Sequence, residues 1–163
     1  MESVRGSDFW KSALYAGVIG GAVFMMAEML MVMLIGESPW APPRMIAAMA
    51  LGMDVLPSAA APATFDVAIL MTAMMIHFPL AIVYGFAVGW IVQRMSQGQA
   101  ALTGAVIGLV IYVVNFYVIA SFAFTWFAMA RNAVSAITHI LFGLVAAWAF
   151  AALAQTRPPT TAR

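Results

Sequence analysis

VAILMTAMMIHFPLAIVYGFAVGWIVQ, residues 67–93, decides the fold. The stretch lies between Asp66 and Arg94, and His77 is its one acidic, basic or histidine side chain. A helix crossing a bilayer needs about 20 predominantly apolar residues. Three further stretches read the same way. Ser12 to Gly36 carries only Glu28, Met95 to Ala130 carries no such group, and Asn132 to Thr156 carries only His139. The pattern predicts helices at about 12–35, 66–93, 100–121 and 132–154, and so an all-α integral membrane four-helix bundle. The second is long enough to tilt, and Pro79 predicts a kink in it.

Composition agrees. The 163 residues are 65% hydrophobic and 8% charged, with mean hydropathy +1.00. A soluble domain is roughly a quarter charged, and a disordered chain is poor in apolar residues, so neither class fits. Four spans leave no length for a nucleotide-binding domain, and a net charge of +1 gives no reason to expect nucleic acid. With no cysteine, disulfides, thiolate metal sites and cysteine nucleophiles are excluded. No P-loop, G-x-S-x-G or H-E-x-x-H motif is visible, so nothing identifies an enzyme.

The first span does not read as a signal peptide. Glu2 and Asp8 stand beside Arg5 and Lys11, and no small-residue cleavage site closes the apolar run. Four spans put both termini on the side of the Arg94 loop. That side carries Arg5, Lys11, Arg94, Arg157 and Arg163, against Arg44 and Arg131 on the other. The bias predicts cytoplasmic termini in a bacterial inner membrane. The outer loop 37–65 contains PPRMIAAMALG, which reads as a short interfacial helix. The uncharged SFAFTWFAMA at 121–130 reads as an aromatic belt with Trp126 at headgroup depth. The tail 157–163 is expected to be disordered.

An internal repeat is visible. Gly17, Gly21 and Glu28 in the first span match Gly104, Gly108 and Asn115 in the third, with spacings of four and then seven. Such positions share one helix face. Each of these spans is followed by one with a single histidine, His77 or His139, and eight residues on by Gly85 or Ala147. The pattern predicts one helical hairpin used twice about an axis along the membrane normal. The glycines fall in the cytoplasmic half, which should pack tightly and leave room in the outer half.

By depth, Glu28, Asn115 and His139 lie roughly 10 Å below the outer surface, with His77 roughly 16 Å in. Tyr84 and Tyr112 can add hydroxyls to the same face. Three readings compete for this polar layer. It can be a structural network fixing helix packing, with Glu28 paired to a histidine. It can bind a ligand: His77, His139 and Glu28 suit a transition metal, and two histidines on diagonal helices suit a haem. It can serve a proton-coupled small-solute transporter using Glu28, which would require a homo-oligomer or a larger membrane complex. Met25, Met26, Met29, Met31 and Met33 surround Glu28, but they spread around the helix as flexible filler does. At the outer mouth, Arg44 and Arg131 with Glu37, Asp54 and Asp66 are expected to form ion pairs that pin the loop over the bundle.

The strings Ala27-Glu28-Met29, SPWAPPRMIAAMALG (38–52), His77, Tyr84-Gly85, Asn115-Phe116-Tyr117, WFAMARN (126–132), His139 and Phe142-Gly143 span nearly the whole chain. They resemble a family of short, uncharacterised bacterial four-helix membrane proteins. Some members carry the automatic label "sodium:proline symporter". The resemblance implies the four-helix fold and no mechanism. That transporter architecture needs two inverted repeats with about ten spans, which four spans cannot make.

Overall fold

Three of the long helices start where the sequence supplies a capping side chain, Asp66, Ser96 or Asn132. The computed structural model of the chain describes residues 6–58 and 63–155. The expected tail 157–163 lies outside them. Helix α1 spans Gly6–Leu34, α2 Ala41–Leu51 and α3 Val67–Val92. Helix α4 runs over Gln97–Phe122, and α5 over Ala133–Gln155. Asp66 caps α3 by accepting from the Ala68 and Ile69 N–H groups at 2.8 and 3.0 Å. Ser96 and Gln99 form a capping box on α4, and Asn132 Oδ1 accepts from Ser135 N–H at 3.1 Å to start α5. Pro42 and Pro43 open α2, and Gly52 ends it at φ 87°, a left-handed value that favours glycine.

Four helices, α1, α3, α4 and α5, are long and apolar enough to cross a membrane. Among the described residues there is no strand. Large apolar side chains such as Trp90, Leu102, Phe122 and Trp148 point outward, where only lipid can receive them favourably. The chain is a multi-pass helical membrane protein. Helix α1 begins before residue 12, because a charged Lys11 at its exposed edge does not end a helix; its head can reach back to the headgroups. Helix α3 continues through Pro79.

The packing is not that of four equivalent helices. Half of α5's most apolar window is buried (50%), against 11% for α3. Helix α5 packs along both α1 and α4, and α1 packs along α3. The remaining seam, α3 against α4, is nearly contact-free. Close approach comes from small residues. A Cβ on Gly17 would lie 2.7 Å from the Ala81 carbonyl oxygen, and one on Gly85 would lie 2.6 Å from Gly17 Cα. In the second hairpin a Cβ on Gly104 would overlap the Gly143 carbonyl, and one on Gly108 the His139 carbonyl. Glycine thus brings backbones together where lipid supplies no hydrophobic drive.

These contacts carry the repeat into three dimensions. Gly17 meets α3 at Ala81 and Gly85; Gly104 meets α5 at Gly143 and Ala147. Gly21 meets His77, and Gly108 meets His139. The register is the same in both hairpins.

The connection between α1 and α3 is pinned, but not by ion pairs. Arg44 donates to the carbonyls of Val55 (3.1 Å) and Thr64 (3.1 and 3.3 Å). Arg131 donates to the Phe116 carbonyl at 2.9 Å and to Ser121 Oγ at 2.8 Å, and lies over the Tyr117 ring. Neither guanidinium meets a carboxylate among the described residues. The expected ion-pair network is therefore corrected. Asp66 is engaged by helix N–H groups, Asp54 sits exposed in the short 3₁₀ turn Met53–Val55, and loop carbonyls needed donors. Trp126 Nε1–H donates to the Met45 carbonyl at 3.0 Å, tying the α4–α5 connection to α2.

Candidate functional site

The end of the bundle beneath α2 holds a cavity of about 660 Å³. Its wall is mostly apolar and draws on all five helices. Glu28, His77, Tyr84, Asn115 and His139 all contribute to it. The four residues singled out by depth thus share one cavity, although they are not one hydrogen-bonded network.

Glu28 is buried on α1 and reaches α5. Ser135 Oγ donates to its Oε1 at 2.9 Å, and Thr138 Oγ1 donates to Oε2. Ser135 is 1% and Thr138 0% exposed, so these hydroxyls have no water to turn to. The carboxylate also lies against the first turns of α5, where the helix dipole favours negative charge. The pairing of Glu28 with a histidine is corrected: its partners are hydroxyls. Ser135 and Thr138 were missed, although a visible signal existed. Both stand in the SAITH run at the start of the fourth span, at Glu28's depth, and only its histidine was singled out.

Each histidine makes one backbone bond. His77 Nε2–H donates to the Gly21 carbonyl at 2.9 Å, and His139 Nδ1–H donates to the Ser135 carbonyl at 2.7 Å. A carbonyl only accepts, so these bonds fix the proton on each neutral ring. The other nitrogens, His77 Nδ1 and His139 Nε2, are lone-pair acceptors without a protein partner. Phe24 lies between the two rings. It stacks on His77 with centroids 5.4 Å apart and meets His139 edge-on at 4.7 Å. His139 is also in ring contact with Phe116 and Tyr112.

This geometry bears on the metal and haem expectations. Among the described residues, no three His, Asp or Glu side chains form a group able to hold a metal ion. Phe24 fills the space between the imidazoles, and both Glu28 oxygens are engaged. A porphyrin between axial histidines meets the same obstacle. The methionines around Glu28 do scatter: Met25 is buried while Met26 and Met33 are exposed.

Asn115 faces the open seam. Tyr84 Oη–H donates to Asn115 Oδ1 at 2.5 Å, joining α3 to α4. Tyr112 departs from its expected place in the layer; its hydroxyl donates to the Asn132 carbonyl at 3.3 Å. Around Asn115, residues Val114–Ile119 form a π-helical segment, with the Ala120 N–H bonded to the Asn115 carbonyl five residues back. Such segments recur at functional sites. Nothing in the sequence VNFYVI announces it. Leu80 on α3 and Ile119 on α4 both line the cavity and are partly exposed, so accessible cavity wall lies on either side of the sparsely packed α3–α4 seam.

No protein-family model, curated protein or solved structure matches this chain.

Proposed function

We propose that this protein binds a lipophilic small molecule within the bilayer, in the cavity beneath α2. The supporting observation is the cavity: about 660 Å³, apolar over most of its wall, with a few convergent polar groups. Those are the usual attributes of a small-molecule site, for which volumes run roughly 300–1,000 Å³. The open α3–α4 seam supplies a route from the lipid. Helix α2, the lid over the cavity, is tied to its own loop by Arg44 and to the α4–α5 connection by Trp126, whereas the seam is bridged by the Tyr84–Asn115 bond. In this reading the chain sits in a bacterial inner membrane with cytoplasmic termini, and the cavity lies in the outer half. The charge bias of the loops supports that orientation.

The test uses protein in phosphatidylcholine nanodiscs and a photoreactive diazirine alkane. Saturable labelling of Ile46, Ile111 and Phe127, lost in Ile46→Trp, is expected. Non-saturable labelling confined to lipid-facing positions such as Met75 would overturn the reading.

A second reading rests on Glu28. A buried carboxylate with hydroxyl partners and, among the described residues, no ion pair is suited to proton exchange, and so to proton-coupled transport. It predicts that Glu28→Gln keeps the fold but abolishes pH-driven uptake into proteoliposomes. Uptake unchanged by that substitution would remove it.

A further inference from the structure

The wall of the cavity has a polarity of its own. Its 29 lining residues include no Lys or Arg and two carboxylates, Glu28 and Glu37. A carboxylate or phosphate headgroup would find no cation there. Most polar groups are already engaged: Glu28 by Ser135 and Thr138, Asn115 Oδ1 by Tyr84, and Asn132 Oδ1 by Ser135 N–H. The two histidines are different. Each spends its N–H on a backbone carbonyl and keeps one unprotonated nitrogen. Among the described residues, Ser12 Oγ is the buried side-chain polar atom without a partner. His77 Nδ1 and His139 Nε2, though unpaired, are thus not sealed in protein, and both residues line the cavity.

We propose that the ligand is a neutral lipophile whose polar end is a hydroxyl, donating its one proton to a histidine ring nitrogen, either His77 Nδ1 or His139 Nε2. This rests on the cavity being a lipophile site and adds the head group. The hydroxyl end lies inward beside the histidines, and the apolar body extends past Leu80, Ile111 and Ile119 to the seam. A hydroxyl supplies the donor these nitrogens lack, whereas an ether, ester or hydrocarbon end leaves them unpaired.

The test uses four probes of one chain length, each with a mid-chain diazirine: a primary alcohol, its O-methyl ether, the carboxylate and the amine. Labelling of cavity residues is measured in nanodiscs. The alcohol should bind about tenfold more tightly than the ether, the worth of one such hydrogen bond. His77→Phe or His139→Phe, whichever removes the receiving ring, should abolish that preference while leaving ether labelling in place, and a preference kept by the variant lacking both histidines overturns the assignment. If a variant fails to fold, wild-type protein with ¹⁵N-labelled histidine supplies the second measurement. The alcohol, but not the ether, should shift the resonance of an unprotonated ring nitrogen. Equal labelling by alcohol and ether, or a preference for the amine or carboxylate, overturns the head-group assignment and leaves the lipophile site standing. No saturable cavity labelling by any probe overturns both.

Discussion

The two hairpins share one register but close differently on each other. Under the repeat, the α1–α5 interface corresponds to the α4–α3 interface. The first is tight: a Cβ on Gly20 would lie 3.0 Å from Ala146 Cβ and 3.2 Å from the Phe142 ring. At the second, Ile107 stands where Gly20 would be and Tyr84 where Ala146 would be. Small against small lets backbones approach, while large against large holds them apart. The polar residues follow suit. Glu28 crosses the closed interface to two hydroxyls, and Asn115 crosses the open one to a single tyrosine. The two equivalent interfaces of a near-symmetric scaffold are thus packed closely where the facing residues are small and loosely where they are large.

The comparison can be broken most severely at the shared glycines. Gly143→Val sets a side chain against the Gly104 carbonyl and the Gly108 backbone, neither of which can yield cheaply. A loss above about 3 kcal/mol is expected, at the top of the overpacking range. Gly98→Val, in open space, should change stability by less than about 1 kcal/mol and, on helix propensity, in the favourable direction. Unfolding in mixed micelles, followed by circular dichroism, compares the two.

Next in size is the closed interface. Glu28→Ala leaves the buried Ser135 hydroxyl without its acceptor and throws Thr138 Oγ1 back on the Ser135 carbonyl at 3.1 Å, at a cost of about 1–3 kcal/mol. Glu28→Gln, which keeps an acceptor oxygen, should cost less than half as much in the same assay. Equal losses would mean that the carboxylate is not what the hydroxyls need.

The open interface should prove weaker. Asn115→Leu removes one interhelical hydrogen bond, worth about 0.6 kcal/mol on average in membrane proteins. A double-mutant cycle over Tyr84 and Asn115 should give a smaller coupling than one over Glu28 and Thr138. Asn115→Leu should also speed labelling of the cavity by the alkane probe, because the seam is then untied.

The smallest effect sharpens the choice between seam and lid. Trp126→Phe removes the bond to the Met45 carbonyl and should cost about 1 kcal/mol or less. Amide exchange should rise across residues 41–51, while labelling of the cavity through the seam stays unchanged. A large gain in labelling would make the lid the entrance.

Much of this scaffold was legible. Long uncharged runs gave four spans, Pro42-Pro43 and Gly52 bracketed the short helix, and the glycine spacings foretold the tight half. The site was legible in part. Depth brought Glu28, His77, Asn115 and His139 to one level, since 1.5 Å per residue converts position into depth. Depth says nothing about which helix faces which. Ser135, Thr138 and Phe24 therefore went unnoticed beside the histidines. The ion pairs expected of Arg44 and Arg131 became bonds to carbonyls, because charge signs in a sequence do not reveal unsatisfied loop backbone.

The amino-acid order alone specifies a four-span membrane protein whose few ionisable span residues, Glu28, His77 and His139, fall in the same half of the bundle. Too few charges and 20-residue apolar runs leave no other solution, since backbone polar groups in lipid must bond within a helix. Tertiary structure alone decided that α5 is central, that α3 and α4 stand apart, and that Phe24 separates the histidines. Those outcomes depend on how side chains of different volume pack between helices, a property of pairs of surfaces rather than of any one stretch of chain.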